Sequence, residues 1–208
     1  VGAAAFSKYI DELRDLSIPN NEGLLILDGG NIFQGNPLGM ADKGHTMIEW
    51  MNRIGYDAMV PGSYDFISGA SNIQSLAIES NFPFLFSNLE CGSCPLEIDE
   101  IKPYIIKELN GVKVGVLGIV NSQISEIVLA ENLMGTAAGY EVPTMRKWVP
   151  IMKSEGAEII VILTSSGVPW SREEAYQAFV EKVENGKINE DNSSLNALEM
   201  AYFAEDVD

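Results

Sequence analysis

Short aliphatic runs alternate along this chain with segments whose apolar residues recur every three or four positions, a pattern typical of an α/β domain. Residues 24–27 form an aliphatic run that predicts a strand buried on both faces, and residues 57–60 predict a second strand. Between them, residues 46–54 place their apolar side chains on one side of a predicted helix. The strands end at Asp28 and Pro61, where polar, glycine-containing loops begin. Because parallel strands joined by a helix direct their following loops to the same sheet edge, the two loops predict a site.

The same reasoning predicts further helices and strands. Helices are predicted over 3–16, 69–80, 124–133, 143–155 and 195–203, and strands over 84–86, 104–109, 112–120 and 158–164. Asn110-Gly111 predicts a tight hairpin between two of these strands. Pro19, with Asn20 and Asn21, is expected to terminate the first helix, and residues 135–139 are expected to form a loop.

Composition and charge limit the size and the partners of the domain. The 208 residues, 46% of them hydrophobic, are enough for one domain with a sizeable core. The formal net charge of −17 disfavours nucleic acid and anionic membrane surfaces as partners, because phosphate groups need Lys and Arg to neutralise them. The same negative field repels nucleotides unless a metal or a local basic cluster reverses it. No apolar run approaches about eighteen residues, so no transmembrane segment is predicted.

Five sequence blocks identify a family. LLILDGGNIFQGNPL and MNRIGYDAMVPGSYDF resemble the 5'-nucleotidase branch of the calcineurin-like metallophosphoesterases, where these blocks run approximately LLLDAGDxFQGxPL and MNxxGYDAMxxGNHEFD. Three later segments resemble further family blocks in the same order: NFPFLFSNLE, VKVGVLGIV and AEIIVILTSSG. The resemblance implies a four-layer α/β sandwich, in which two mixed β-sheets are flanked by helices. It also implies that residues 1–208 are a single metallophosphatase-like domain, incomplete at both ends relative to the family.

Residues 168–194 depart from the family pattern and are expected to form a helical insertion beside the site. Ser171 begins the segment SREE, which predicts a capping box with Glu174 at the third helical position. One interpretation is a surface helix that covers part of the pocket, and the alternative is a partner-binding helix. Trp170 precedes this helix as a core or lid residue, or as a platform for a planar ligand.

The residues that match the family's metal and catalytic positions are substituted. In the family, Asp, His and Asn side chains hold two divalent metals that generate the attacking hydroxide. The metal-ligand positions correspond here to Asn31, Ser63 and Ser165. The family's catalytic His corresponds to Tyr64, the Glu after it to Asp65, and the Asp partner of that His to Ile67. These positions are therefore interpreted as vestigial, and neither a catalytic residue nor a resident metal is expected. Asn amides and Ser hydroxyls do not supply the negative charge that a pair of cations needs.

Two alternatives remain open for the polar loop residues. In the first alternative, four residues are loop or cap residues that satisfy backbone groups: Asn31, Ser63, Ser165 and Asn88. In the second, Asp28, Asp65 and Asn88 hold a weakly bound hard cation, provided that their loops converge. The single histidine of the chain, His45, matches no ligand position of the family and is interpreted as an exposed residue in the first turn of a helix.

The two cysteines of the chain, Cys91 and Cys94, form the motif CGSC. A structural zinc site needs four ligands, and a thioredoxin-type redox motif needs a strand that runs into a helix, so neither interpretation fits. A local disulfide is expected in an oxidising compartment, and two free thiols in the cytosol. Because members of the resembled family are often exported, the disulfide and an extracytoplasmic (periplasmic or secreted) location are favoured.

Two functions follow from these patterns. The first is a catalytically degenerate 5'-nucleotidase-like domain that serves as a binding or interaction module, with a small-molecule or protein partner that the sequence does not identify. The second is an active hydrolase of nucleotides or other phosphoesters with a rearranged site. It would use a divalent metal (Mn, Zn, Mg or Ca) with Asp28, Asp65 and ligands outside residues 1–208, where the family's DxHG and GHxH motifs would fall.

Overall fold

The computed structural model describes residues 2–33, 35, 37–97 and 99–208. Its helices are α1 (Ala3–Asn20), α2 (Pro37–Ala41), α3 (His45–Ile54), α4 (Ala70–Glu79), α5 (Ile124–Ile127), α6 (Ala130–Leu133), α7 (Glu141–Ser154), α8 (Arg172–Glu184) and α9 (Ala197–Phe203), with a 3-10 helix at Ser63–Ser68. Its strands are β1 (Leu27–Asp28), β2 (Ala58–Met59), β3 (Phe84–Leu85), β4 (Leu89–Cys91), β5 (Ile101–Lys102), β6 (Tyr104–Leu109), β7 (Val112–Ile119), β8 (Thr136–Ala138) and β9 (Ile159–Thr164).

The first sheet has the strand order β1-β2-β3-β5, and its described strand pairs are all parallel. Its central strands, β2 and β3, are buried on both faces, as their short aliphatic and aromatic runs predict. Helices α3 and α4 follow β1 and β2 in the chain and pack on this sheet through residues such as Ile48 and Ile73. The strands therefore direct the loops after Asp28 and Met59 to one edge.

The second sheet has the order β6-β7-β9 and is mixed. Strands β6 and β7 form the predicted antiparallel hairpin, whose turn residues Asn110 and Gly111 have φ angles of 51° and 87°. Strand β9 pairs with β7 in parallel, with Val116 opposite Val161. A small antiparallel ladder of β4 and β8 lies beside the two sheets.

The side chains of β7 alternate between two cores. Val114 and Val116 belong to the cluster that includes the first sheet, whereas Leu117 and Ile119 pack in the cluster that includes α7, α8 and α9. The sheets approach each other closely at Gly118, because a Cβ atom built there would lie 2.0 Å from the Cβ atom of Leu85. The two sheets thus pack face to face between helical layers, and the predicted α/β sandwich is confirmed, although the first sheet is parallel where a mixed one was expected.

Two helices differ from the sequence prediction by more than two residues. Helix α1 continues through Pro19, because a proline in the last turn removes a single backbone hydrogen bond, and it ends at left-handed Asn21. The predicted helix over 124–133 is split into α5 and α6 by extended residues at Val128 and Leu129.

The predicted loop over 135–139 contains β8. Its residues pair with β4, in the register Thr136 opposite Cys91, so tertiary pairing overrides the weak local preference of this glycine-rich segment. Within the described ranges, no helix is long and apolar enough to cross a membrane.

The predicted capping box at Ser171 is wrong. Ser171 has φ −86° and ψ 70°, and its side chain accepts no hydrogen bond from the first turn of α8. A capping box occurs instead at α9, where Asn196 accepts the amide protons of Leu198 and Glu199. Helix α8 buries Phe179 against the aromatic rings of α9, so the segment 168–194 docks on α9.

Candidate functional site

The candidate site lies at the strand edge where the loops after β1 and β2 meet. Asp65, in the 3-10 helix after β2, is 1% exposed and joins the two loops through its carboxylate. Its Oδ2 atom accepts the amide protons of Asn31 at 2.6 Å and Gly62 at 2.8 Å, and its Oδ1 atom accepts that of Ile32 at 2.8 Å. Burial and, to a smaller extent, the charge of Asp28 raise the pKa of Asp65 to about 6, against the lowering effect of these three donors.

Asn31 completes the connection between these loops. Its backbone is left-handed, with φ 63°, and its side-chain Oδ1 atom accepts the amide proton of Tyr64 at 3.0 Å. A Cβ atom built on Gly62 would lie 2.3 Å from Asn31 Oδ1, so only glycine allows this approach. The amide oxygen at the position of the family's metal ligand is therefore engaged with the backbone.

Asp28 lies at the carboxyl end of β1 and is partly buried. Its Oδ1 atom accepts the amide proton of Gly30 at 2.8 Å, and burial raises the pKa of its carboxyl group. Burial and the charge of Asp28 together raise the pKa of Tyr56 to about 12. Asp28 and Tyr56 share the lining of a cavity of about 490 Å³, whose apolar wall includes Phe6 and Trp50.

Asn88 fixes the ends of three strands. Its Nδ2 atom donates to the carbonyl oxygens of Val120 at 2.8 Å and Gly139 at 2.7 Å, and its Oδ1 atom accepts the amide proton of Val120 at 3.0 Å. Asn88 is buried and directly precedes β4, so these bonds link the start of β4 to the ends of β7 and β8. The structure thus places Asn88 as a loop cap.

Ser165 connects the loop after β9 to the loop after β7. Its Oγ atom accepts the amide proton of Asn121 at 3.1 Å. The loop after β1 lies next to this pair, because a Cβ atom on Gly29 would be 3.1 Å from the carbonyl oxygen of Thr164. The polar loops that the sequence analysis singled out therefore lie at one edge of the sandwich.

Other predicted residues lie on the surface or outside this network. Tyr64 and Ile67 are about half exposed, and Ser63 is partly buried. His45 is partly exposed at the start of α3, with its Nδ1 atom 2.7 Å from Glu79 Oε2. Cys91 and Cys94 are joined by a disulfide bond beside the β4–β8 ladder.

Known proteins resemble this chain in sequence and in structure. The trifunctional nucleotide phosphoesterase protein YfkN of Bacillus subtilis is 30% identical over 189 residues, which cover 80% of this chain and 12% of YfkN. The 5'-nucleotidase of Diplobatis ommata is 29% identical over 169 residues, which cover 80% of this chain and 28% of that protein. The crystal structure of the calcineurin-like phosphoesterase YfkN from Bacillus subtilis superposes with a TM-score of 0.61 at 26% identity, covering 78% of this chain and 54% of that chain.

The chain belongs to the 5'-nucleotidase-like metallophosphoesterase family. It spans less than a third of the length of these two curated relatives. No family model matches the sequence.

The side chains at the family's metal positions do not fit a pair of divalent cations. Among the residues that the structure describes, no group of three or more His, Cys, Asp or Glu side chains could hold a metal ion. At the matched positions, Asn31 Oδ1 and Ser165 Oγ accept backbone amide protons, and the carboxylate of Asp65 accepts three. Two cations held close together need several anionic or imidazole donors, and Asp65 is the one carboxylate among these hydrogen-bonded groups.

Sequence analysis missed one buried carboxylate near the site. Glu141, at the start of α7, has no solvent exposure and accepts the amide protons of Ser122 at 3.0 Å and Leu195 at 3.2 Å. These bonds attach the loop after β7 to the segment before α9. An acidic residue just before the predicted helix over 143–155 was the available signal, but its acceptor role depends on partners distant in sequence.

Proposed function

We propose that this metallophosphoesterase-like domain is catalytically degenerate and serves as a binding or interaction module. The observation that carries the proposal is the closed hydrogen-bond network between the loops after β1 and β2. In that network, Asn31 and Asp65 use their side-chain oxygens to hold backbone amides. Groups committed to backbone contacts in this way are poor ligands for metal or substrate, because releasing them leaves amide protons unsatisfied.

The alternative is a hydrolase of nucleotides or other phosphoesters with a rearranged metal site. Asp28 favours this alternative, since it is a partly buried carboxylate at a strand end and lines a cavity of about 490 Å³. A divalent cation there would still require further anionic or imidazole ligands. The net charge of −17 also opposes the approach of an anionic phosphoester unless such a cation is bound.

Metal content and turnover measured together test the proposal. The purified protein is incubated with Mn²⁺, desalted and analysed by elemental mass spectrometry, and hydrolysis of p-nitrophenyl phosphate and of a nucleoside monophosphate is followed with Mn²⁺ or with EDTA. We expect substoichiometric metal and no turnover above the rate without protein. Stoichiometric metal with turnover that EDTA abolishes would overturn the proposal.

Any turnover is assigned with matched variants. Asp28→Asn removes the charge of the candidate ligand and retains its shape, whereas Asp15→Asn makes the same change at an exposed position on α1. Turnover that Asp28→Asn abolishes and Asp15→Asn preserves would belong to the alternative site. Asp65→Ala is unsuitable for this purpose, because it also removes the acceptor of three backbone amides.

We also propose an extracytoplasmic location. The disulfide bond between Cys91 and Cys94 supports it, since disulfides persist mainly in oxidising compartments. Thiol labelling of protein from its native source tests this proposal. Labelling of both cysteines without prior reduction would contradict it.

A further inference from the structure

We propose that Tyr64, Ile67, Leu129 and Met134 form a docking patch for a protein partner that presents apolar residues flanked by Lys or Arg. This inference rests on the proposed function, because it specifies the class of partner that a non-catalytic domain of this kind would bind.

The first half of the docking patch lies on the 3-10 helix after β2. This helix has about three residues per turn, so Tyr64 and Ile67 project from the same side. Their side chains are 49% and 48% exposed, whereas the intervening Asp65 and Phe66 are 1% and 0% exposed. The buried pair fixes the helix, and the two apolar side chains are presented to solvent in a defined arrangement.

The second half lies around α6, next to the 3-10 helix. Leu129 and Met134 are 65% and 46% exposed. The Nδ2 atom of Asn132, in α6, donates to the carbonyl oxygen of Ile67 at 3.2 Å, so α6 and the 3-10 helix are in direct contact. The exposed apolar side chains therefore lie on two elements in direct contact, and exposed apolar patches of this kind mark interaction sites.

The charges around the docking patch select the partner. The segments that carry it, residues 62–69 and 122–135, contain no Lys or Arg. Two exposed glutamates, Glu126 and Glu131, belong to the same segment as Leu129 and Met134. Basic groups on a partner would complement this negative rim, whereas a second copy of the chain or an anionic lipid surface would be repelled.

The position of the docking patch matches the degenerate part of the site. Tyr64 and Ile67 stand where the resembled family has its catalytic His and the Asp partner of that His. Loss of catalysis by itself allows many residue types at these exposed positions and does not favour large apolar side chains. Apolar replacements that remain half exposed instead fit a surface that has acquired binding.

A pair of designed peptides tests the inference on the intact protein. The first is an amphipathic helix with a leucine stripe flanked by lysines, and the second is identical except that glutamates replace the lysines. Fluorescence anisotropy measures their binding to the wild type, to the patch variant Ile67→Ser/Leu129→Ser, and to the control variant Ile18→Ser/Ile78→Ser. The control residues are 77% and 62% exposed on α1 and α4, so both variants replace surface side chains.

We expect the lysine peptide to bind, the patch variant to weaken its binding at least about tenfold, and the control variant to leave it unchanged. Binding should also weaken as salt is raised. No binding of the lysine peptide, equal binding of the glutamate peptide, or an equal loss in the control variant would overturn the inference. Two further results would overturn it: dimerisation of the protein, or binding of the protein to neutral lipid vesicles, if the patch variant abolishes that behaviour and the control variant does not.

The two proposals fail in distinguishable ways. Metal-dependent turnover with intact peptide binding would overturn the proposed function and leave the docking patch as a surface of an active enzyme. Absence of both turnover and peptide binding would overturn the docking patch alone.

Discussion

At the scale of single residues, the candidate site is organised by side chains that accept backbone amide protons. Asp65 holds three such protons, and Asn31 and Ser165 hold one each. All of these bonds except the one from Gly62, which lies in the same loop as Asp65, cross from one loop to another, so the side chains determine loop geometry. The polar character of the loops therefore has a structural explanation that requires no ligand.

Asn31→Ala should lower the free energy of unfolding by about 1–2 kcal/mol. The substitution places a residue with a Cβ atom and no local acceptor at φ 63°, and it removes the acceptor of the Tyr64 amide proton. Asn31→Gly should cost less, because glycine adopts this conformation freely and loses only the hydrogen bond. Urea denaturation measures both values. Equal losses for the two variants would contradict the contribution assigned to the backbone.

At the scale of secondary-structure elements, helix ends and sheet contacts locate the stabilising interactions. Helix α9 is capped by Asn196, whereas α8 begins without a side-chain cap although Ser171 and Glu174 have the expected spacing. The two sheets approach each other closely at Gly118 on β7. The cap of α9 and the sheet contact at Gly118 can each be tested by a substitution.

Asn196→Ala should cost about 1 kcal/mol of stability, because it removes the acceptor for two amide protons in the first turn of α9. Ser171→Ala, the matched change at the start of α8, should alter stability by no more than about 0.5 kcal/mol. Thermal and chemical denaturation of the two variants provide the comparison. A larger loss for Ser171→Ala would mean that the cap assignment is reversed.

Gly118→Ala should destabilise the protein by about 1–3 kcal/mol or prevent its accumulation in folded form. The added methyl group would lie 2.0 Å from the Cβ atom of Leu85, which forces the two sheets apart. Gly92→Ala is the control, since a Cβ atom there meets no heavy atom within 4 Å. Circular dichroism and urea midpoints report the difference, and similar midpoints for both variants would contradict the close sheet contact.

At the scale of the whole molecule, the chain is an acidic domain whose candidate site contains two carboxyl groups with raised pKa values, Asp28 and Asp65. A carboxyl group whose pKa is higher in the folded than in the unfolded state binds protons more tightly when folded. Its contribution to stability is therefore complete below the unfolded pKa and is lost as the pH rises through the folded pKa.

For Asp65, the relevant window runs from about pH 4, the ordinary Asp value, to its raised pKa of about 6. As the pH rises through this window, the unfolding free energy of the wild type should fall by about 3 kcal/mol relative to that of Asp65→Asn. Urea denaturation of both proteins at several pH values measures the shift. A difference that is constant with pH would show that the pKa of Asp65 is unperturbed.

Sequence patterns predicted the parts of the fold that local chemistry determines. The aliphatic runs at β2, β3 and β7 and the Asn110-Gly111 turn carry strong local signals, and the structure contains these elements. The pairing of β4 with β8 was not predicted, because its partners are distant in sequence and Thr136–Ala138 has no strand pattern. The family blocks indicated which loops converge. They did not reveal that Asp65 holds three amides, since its partners are backbone groups common to every sequence.

The network around Asp65 also bears on whether this site can regain the family's metal ligands. Asn31→Asp restores the family's residue, but it adds a third carboxylate to loops that already contain Asp28 and the buried Asp65. In the absence of a cation, these like charges repel one another. A single reversion thus loses stability before the remaining ligands are in place to bind metal. If the site is degenerate as we propose, a return to the family's metal site would require several substitutions at once.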